Sequence, residues 1–110
     1  MQLEINGKSI ETDSQGYLVN LSDWSEDLAN VLAGQDDLKL TETHWEIINM
    51  IRTYYHAHGT APAMRALTKL VKTELGPEKG DSKYLYSLFL YGPGKQAARY
   101  AGLPKPTGCV

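Results

Sequence analysis

The chain has 110 residues, of which 42% are hydrophobic and 22% charged, and its formal net charge is −2. These values are typical of one soluble globular domain, and a single cysteine excludes a disulfide scaffold. No stretch approaches the ~20 apolar residues of a membrane span, and the first residues lack the pattern of a signal peptide, so we expect a cytoplasmic protein without membrane contact.

Charge is divided unevenly along the chain. Residues 1–60 hold three basic and ten acidic residues, whereas residues 61–110 hold eight basic and three acidic residues. This division predicts either a polarised surface that steers a charged partner or a set of solvated helix faces. The basic half also leaves open a nucleic-acid-binding regulator, with helices near 62–75 and 81–90 arranged as a helix-turn-helix.

The first predicted element is a β-hairpin within residues 1–12. Its signal is Asn6-Gly7, the pair preferred in type I′ turns because both positions need a positive φ. Residues 13–20 read as a loop, from which Tyr17 and Leu18 are expected to reach the core.

Two helices are predicted before residue 60. Ser22 or Asp23 caps the first, which runs to about Ala33. One face of this helix carries Trp24, Leu28, Val31 and Leu32. Thr41 caps the second helix, and Gly59 ends it.

Three shorter helices are predicted after residue 60. Pro62 suits the first turn of the third helix, which ends at Gly76-Pro77. Asp81 or Ser82 starts the fourth, and residues 95–101 form one or two further turns. The fold class is therefore mainly α: a small bundle of about five helices with an N-terminal β-hairpin and a flexible C-terminal arm.

The arm is predicted over residues 103–110, after a helical domain that Gly102 closes. Pro104 and Pro106 favour an extended, polyproline-like conformation, and Gly108 loosens the tip. At about 3.1 Å per residue such an arm would reach on the order of 25 Å.

Cys109 is the candidate nucleophile. A lone cysteine is most often a buried structural residue, but a chain end is where order is lowest, which favours a functional thiol. Thiolate is the reactive form, and Lys95, Arg99 or Lys105 would favour its ionisation or bind an acidic partner surface. In oxidising buffer the thiol could also link two chains as a disulfide-bonded dimer. No metal or other cofactor is predicted.

A thiol on a long arm fits a carrier of the sulfurtransferase type. It can accept a sulfur atom as a persulfide, present it in a partner's active site, and pass it on by transpersulfidation. The partner supplies the base and the binding pocket, so the carrier itself needs little local machinery.

Three blocks of the sequence carry a resemblance to a known family: residues 80–89, 92–97 and 101–110. Shorter motifs that share it are Gly16-Tyr17-Leu18, Asp23-Trp24, Leu40-Thr41, His44-Trp45 and Ala61-Pro62 with Arg65. Together they resemble the DsrC/TusE family over essentially the whole chain. The resemblance implies a small, mainly helical fold with an N-terminal hairpin and a mobile C-terminal arm.

The family contains two kinds of carrier. DsrC proper, associated with dissimilatory sulfite reductase, carries two arm cysteines eleven positions apart, whereas TusE keeps only the penultimate one. Ala98 lies eleven positions before Cys109, so the resemblance implies the single-cysteine kind. That kind relays persulfide sulfur from a TusBCD-like donor to an MnmA-like tRNA 2-thiouridylase, for thiolation of the wobble uridine. A DsrC-like carrier in dissimilatory sulfur oxidation or sulfite reduction stays open as the alternative.

Overall fold

A computed structural model describes residues 2–106, which form a two-stranded hairpin, a short 3₁₀ turn and five helices. The elements in chain order are β1 (Gln2–Ile5), β2 (Lys8–Glu11), the 3₁₀ turn (Leu21–Asp23), α1 (Glu26–Gln35), α2 (Glu42–His58), α3 (Met64–Leu75), α4 (Ser82–Leu88) and α5 (Pro93–Tyr100). The predicted mainly α fold is confirmed. None of the helices within residues 2–106 is both long and apolar enough to cross a membrane.

The hairpin is antiparallel and turns at the predicted pair. Asn6 and Gly7 adopt φ values of 54° and 80°, as a type I′ turn requires. Ile5 and Ile10 are buried, so the ribbon contributes to the core rather than standing alone. In the loop that follows, Tyr17 and Leu18 are also buried, as expected.

Helix α5 lies at the centre and contacts each of the other four helices. Its small residues allow this close packing: Ala97 and Ala98 are fully buried, and a Cβ on Gly94 would lie 3.2 Å from the backbone nitrogen of Met64. Large apolar side chains surround it, among them the fully buried Leu28, Ile48, Leu67, Leu85 and Phe89. The helix that carries the C-terminal segment is therefore the best-packed element of the domain.

The predicted start of the first helix is wrong. Ser25, rather than Ser22 or Asp23, caps α1, and its hydroxyl accepts a 3.1 Å hydrogen bond from the backbone nitrogen of Leu28. Residues 21–23 instead form the 3₁₀ turn, and Trp24 precedes the helix. Val31 is exposed rather than on the buried face, and the helix continues two residues beyond Ala33, to Gln35.

Two further boundaries differ. Helix α3 begins at Met64, after Pro62, with Ala63 at its N-cap. Helix α5 begins at Pro93 rather than at residue 95, because proline suits the first helical position, where no backbone N–H is needed.

The predicted ends of α2 are confirmed. Thr41 is its N-cap, and Gly59 ends it with a φ of 74°. His44 adds a contact across the fold: its Nδ1 accepts a 3.0 Å hydrogen bond from the Thr41 N–H, and its Nε2 donates to the carbonyl of Leu88 at 2.8 Å. The ring therefore ties the start of α2 to the end of α4.

Candidate functional site

The end of α5, where the C-terminal segment begins, closes in a Schellman motif. Gly102 donates its N–H to the carbonyl of Arg99 at 3.2 Å, and Leu103 donates to that of Ala98 at 3.0 Å. Gly102 has the positive φ of 70° that the motif needs, and Leu103 is buried. These bonds fix the direction in which the chain leaves the helix. We call residues 100–103 the arm root.

Two side chains from other parts of the fold satisfy the first two carbonyls of the arm root. The indole Nε1 of Trp24 donates to the Tyr100 carbonyl at 2.8 Å, and Nη1 of Arg52 donates to the Ala101 carbonyl at 2.7 Å. The guanidinium carbon of Arg52 lies 3.7 Å from the centre of the Trp24 ring, a cation–π contact. Burial lowers the pKa of Arg52 from its ordinary value, and its positive charge lies at the negative end of the α5 dipole.

Gly102 also leaves room for the indole. A Cβ at this position would overlap Cδ1 of Trp24 and lie 2.8 Å from its Cβ and Cγ. The glycine is thus required twice, by its positive φ and by the ring packed against it. The sequence predicted that Gly102 closes the helical domain, but it gave no sign of the contact with Trp24.

The structure describes the start of the predicted arm. Residues 103–106 have no regular secondary structure; Pro104 and Lys105 are exposed, whereas Pro106 is buried. Gly108 and Cys109 lie outside the described residues. The thiol's role and the division into residues 1–102 and 103–110 therefore remain predictions.

A cavity of about 270 Å³ opens beside the arm root. Its lining residues are Gln15, Tyr17, Asp36, Tyr91, Lys95, Gln96, Arg99 and Lys105. The three basic residues singled out from the sequence, Lys95, Arg99 and Lys105, thus line one cavity. We call it the basic cavity.

The side chain of Arg99 is bonded to other residues of the domain. Its Nη1 forms a 2.8 Å ion pair with Oδ2 of Asp36, and Tyr100 donates its hydroxyl to the same oxygen at 2.6 Å. The Tyr100 hydroxyl in turn accepts from Gln96 Nε2 at 2.7 Å, and Oε1 of Gln96 accepts the N–H of Tyr91 at 2.8 Å. This chain of bonds connects the end of α1, the helix α5 and the turn before it.

The network also explains two further features of the cavity wall. Asp36 is the C-cap of α1, where a negative charge opposes the helix dipole, and the donors from Arg99 and Tyr100 offset that cost. Burial, with the hydrogen bond to Asp36, raises the pKa of Tyr100 well above its ordinary value. A Cβ on Gly16, whose φ is 89°, would lie 2.7 Å from Nε of Arg99, so the glycine makes room for the guanidinium.

The other two basic residues of the cavity, Lys95 and Lys105, are not engaged in the network. Among residues 2–106, neither Lys95 nor Lys105 forms an ion pair. Lys105 is exposed and Lys95 partly so. Of the three predicted basic residues, the lysines are therefore the ones placed to meet an anionic group.

Sequence reasoning missed the residues that hold the arm root and the cavity wall. The sequence pattern places Trp24 on one face of the first helix, and it assigns no role to Arg52, which recurs with Ile48 and Tyr55 at helical spacing in the second helix. Two signals were available: a charged residue within an apolar stripe indicates a buried partner, and a buried indole N–H needs an acceptor. Neither signal identifies which carbonyl is bound.

Comparison with known proteins agrees with the fold. The family model described as "DsrC like protein" matches residues 4–110. The sulfurtransferase TusE of Yersinia pestis is 53% identical over 108 residues, covering 98% of this chain and 99% of that protein. The solution structure of Allochromatium vinosum DsrC matches with a TM-score of 0.91 and 60% identity, covering 99% of this chain and 97% of that one.

A second solved structure gives the same result. The crystal structure of the oxidized gamma-subunit of the dissimilatory sulfite reductase (DsrC) from Archaeoglobus fulgidus matches with a TM-score of 0.88 and 43% identity, and both chains are covered completely. The two solved structures therefore share the overall fold of this chain. This chain belongs to the DsrC-like family. Family membership and the named relatives support a sulfur carrier.

Proposed function

We propose that this protein is a TusE-type sulfur carrier that bears a persulfide on Cys109. The observation that carries the proposal is full-length similarity to curated TusE sulfurtransferases, combined with one cysteine in the whole sequence. The donor would be a TusBCD-like complex and the acceptor an MnmA-like tRNA 2-thiouridylase, which thiolates the wobble uridine. The setting would be the reducing cytoplasm, where a lone thiol stays free.

The proposed reaction is a pair of sulfur exchanges. The Cys109 thiolate attacks the outer sulfur of the donor's persulfide, the donor's S–S bond breaks, and the donor cysteine leaves as a thiolate. In the second exchange an acceptor cysteine thiolate attacks the outer sulfur now on Cys109, and Cys109 leaves as a thiolate. Each step forms one S–S bond and breaks one, so no external oxidant or reductant is consumed.

The described residues suggest how the domain would assist. A fixed arm root gives the arm a defined origin, while Pro104, Pro106 and Gly108, beyond Gly102, would set its reach. Lys95 and Lys105 would bind an acidic partner surface or favour the thiolate when it is near. The charge of Arg99 is already paired with Asp36, so its contribution would be to hold the cavity wall.

The test is intact-protein mass spectrometry after incubation with a cysteine desulfurase, cysteine and the purified relay partners. We expect the wild type to gain about 32 Da, one sulfur atom. Cys109→Ser should show no gain while keeping the urea midpoint of the wild type. Full sulfur transfer by Cys109→Ser would refute the mechanism.

A second candidate is a DsrC-like carrier in dissimilatory sulfur metabolism, acting with dissimilatory sulfite reductase. It is favoured by the 60% identity to Allochromatium vinosum DsrC, against 53% to the Yersinia pestis TusE. With one cysteine, however, the chain cannot form the internal disulfide that two arm cysteines allow. Deleting the gene separates the candidates: under the first, 2-thiouridine in tRNA falls, and under the second it is unchanged.

A further inference from the structure

An exposed apolar patch lies between α4 and α5. It consists of Tyr86, Leu90 and Tyr91, which are 45%, 68% and 71% exposed. Within residues 2–106 only two other large apolar side chains are comparably exposed, and they lie elsewhere in the sequence, at Val19 and Val31. We call these three residues the α4–α5 patch. The three fall within six residues of the chain, and exposed apolar groups that are clustered, unlike scattered ones, indicate a contact surface.

The patch is built on a fixed backbone. Phe89 is fully buried at the start of the turn, and Gly92 donates its N–H to the Phe89 carbonyl at 3.3 Å. Tyr91 donates its N–H to the buried side chain of Gln96 at 2.8 Å, which links the turn to the network behind the basic cavity. Leu90 and Tyr91 are therefore held outward by the fold. Side chains on a preorganised turn lose little conformational entropy when they bind.

The surroundings of the patch are basic. Residues 79–105 contain five basic side chains and one acidic side chain. Two of the five are paired within the domain, Lys79 with Glu46 and Arg99 with Asp36. The other three of these five, Lys83, Lys95 and Lys105, form no ion pair with any of the residues 2–106.

The patch meets the predicted arm at the basic cavity. Tyr91 lines that cavity together with Lys95 and Lys105, and Lys105 is itself part of the predicted arm. A partner that covers the patch would thus lie beside the origin of the arm, with its acidic groups opposite the two lysines. Tyrosine is among the residues that most often dominate binding energy at protein interfaces.

We propose that the α4–α5 patch docks onto the protein that donates sulfur to Cys109, at an apolar depression bordered by Asp or Glu side chains. The inference rests on the proposed function and adds a second contact to it. The patch holds the domain on the partner while the arm delivers the thiol. Charge complementarity favours this occupant over a second copy of the chain, because two copies would bring their basic surfaces together.

The first experiment measures binding without sulfur transfer. In a Cys109→Ser background, the double variant Leu90→Ser, Tyr91→Ser is titrated by calorimetry into a purified TusBCD-type donor complex. Val19→Ser, at 63% exposure, is the matched control. We expect the double variant to bind at least about tenfold more weakly, which corresponds to about 1.4 kcal/mol, and the control to bind as its parent does. Equal affinities in all three would overturn the proposal.

Folding of the variants is checked separately. The exposed side chains of Leu90 and Tyr91 can be removed while the backbone bonds of the turn remain, so the urea midpoints should match that of the parent. Tyr86→Ser, on the last turn of α4, is an independent variant, and it should weaken binding in the same direction.

A second experiment separates failure of this inference from failure of the proposed function. With Cys109 present, wild type and double variant are treated with inorganic polysulfide, which needs no docking, and then assayed with the donor complex. Equal loading by polysulfide with a raised KM and similar kcat for the protein donor supports the patch. If Cys109 is not loaded by polysulfide or donor, the proposed function fails, while the calorimetry still decides whether the patch binds.

Two other occupants would also overturn the proposal. Sedimentation that shows a dimer in the wild type but a monomer in the double variant would mean that a second copy covers the patch. Purified tRNA that binds the wild type and loses affinity for the double variant would mean that the tyrosines and lysines bind nucleic acid instead.

Discussion

Replacing Gly102 by alanine tests whether the arm root is fixed as described. Alanine at a φ of 70° costs about 1–2 kcal/mol by itself. Its Cβ would also overlap Trp24, so the indole must move and lose its bond to the Tyr100 carbonyl, worth about 0.5–1.5 kcal/mol. Weakening of the cation–π contact with Arg52 adds about 0.5–1 kcal/mol. The expected loss of unfolding free energy is about 2–4.5 kcal/mol.

Gly59→Ala is the matched control for this substitution. Gly59 also ends a helix with a positive φ, 74°, but a Cβ there would meet no atom within 4 Å. Gly59→Ala should therefore lower the unfolding free energy only by the backbone contribution, about 1–2 kcal/mol. The stabilisation that comes from a less flexible unfolded chain is the same for both alanine variants. Urea unfolding followed by tryptophan fluorescence measures the two midpoints. Equal midpoints, at unchanged m values, would refute the packing of Trp24 against Gly102.

The hydrogen-bond network around Tyr100 gives two further predictions, and Arg52, which binds the arm root, gives one. Tyr100→Phe removes the acceptor of Gln96 Nε2 and one of the two donors to Asp36, which keeps Arg99, and should lower the unfolding free energy by about 1–3 kcal/mol in urea. Burial raises the pKa of Tyr100, so on raising the pH the Tyr100 hydroxyl loses its proton in the unfolded state before it does so in the folded state. The stability of the wild type is therefore retained below about pH 10 and falls above it. Tyr100→Phe should flatten that fall. Arg52→Lys keeps the positive charge near the Ala101 carbonyl but loses the planar stacking on the Trp24 ring. It should lower the unfolding free energy by about 1 kcal/mol in urea, and an unchanged urea midpoint would contradict the stacking.

Local signals explain which parts of the fold were predictable. The turn at Asn6-Gly7 and both ends of α2 depend on residues that satisfy nearby backbone groups, so each could be identified within a few positions. The start of α1 was misplaced because three capping residues stand close together: Ser22, Asp23 and Ser25. Propensity does not rank them, and the choice depends on Trp24, whose indole is bound far away in the sequence.

The candidate site depended on contacts that no local pattern contains. Trp24 and the Tyr100 carbonyl are 76 positions apart, Arg52 and the Ala101 carbonyl 49, and Asp36 and Tyr100 64. Charge and composition indicated that the three basic residues near the end of the chain matter. Only the packing of α5 against the other helices separates the paired Arg99 from the available lysines.

The proposed carrier would bear its sulfur on Cys109, six residues beyond Leu103, so its reach depends on where those residues start. Each residue adds at most about 3.3–3.6 Å, so the segment spans no more than roughly 22 Å from a root whose position the domain alone determines. If the arm root moved by a few ångströms, the position that Cys109 can reach would shift by a sizeable fraction of that span. Trp24, Arg52 and Gly102 hold the arm root in position, although none of them needs to contact the sulfur atom. The chemistry of transfer can then reside in the partner, while the domain supplies a fixed origin and the surface that places it.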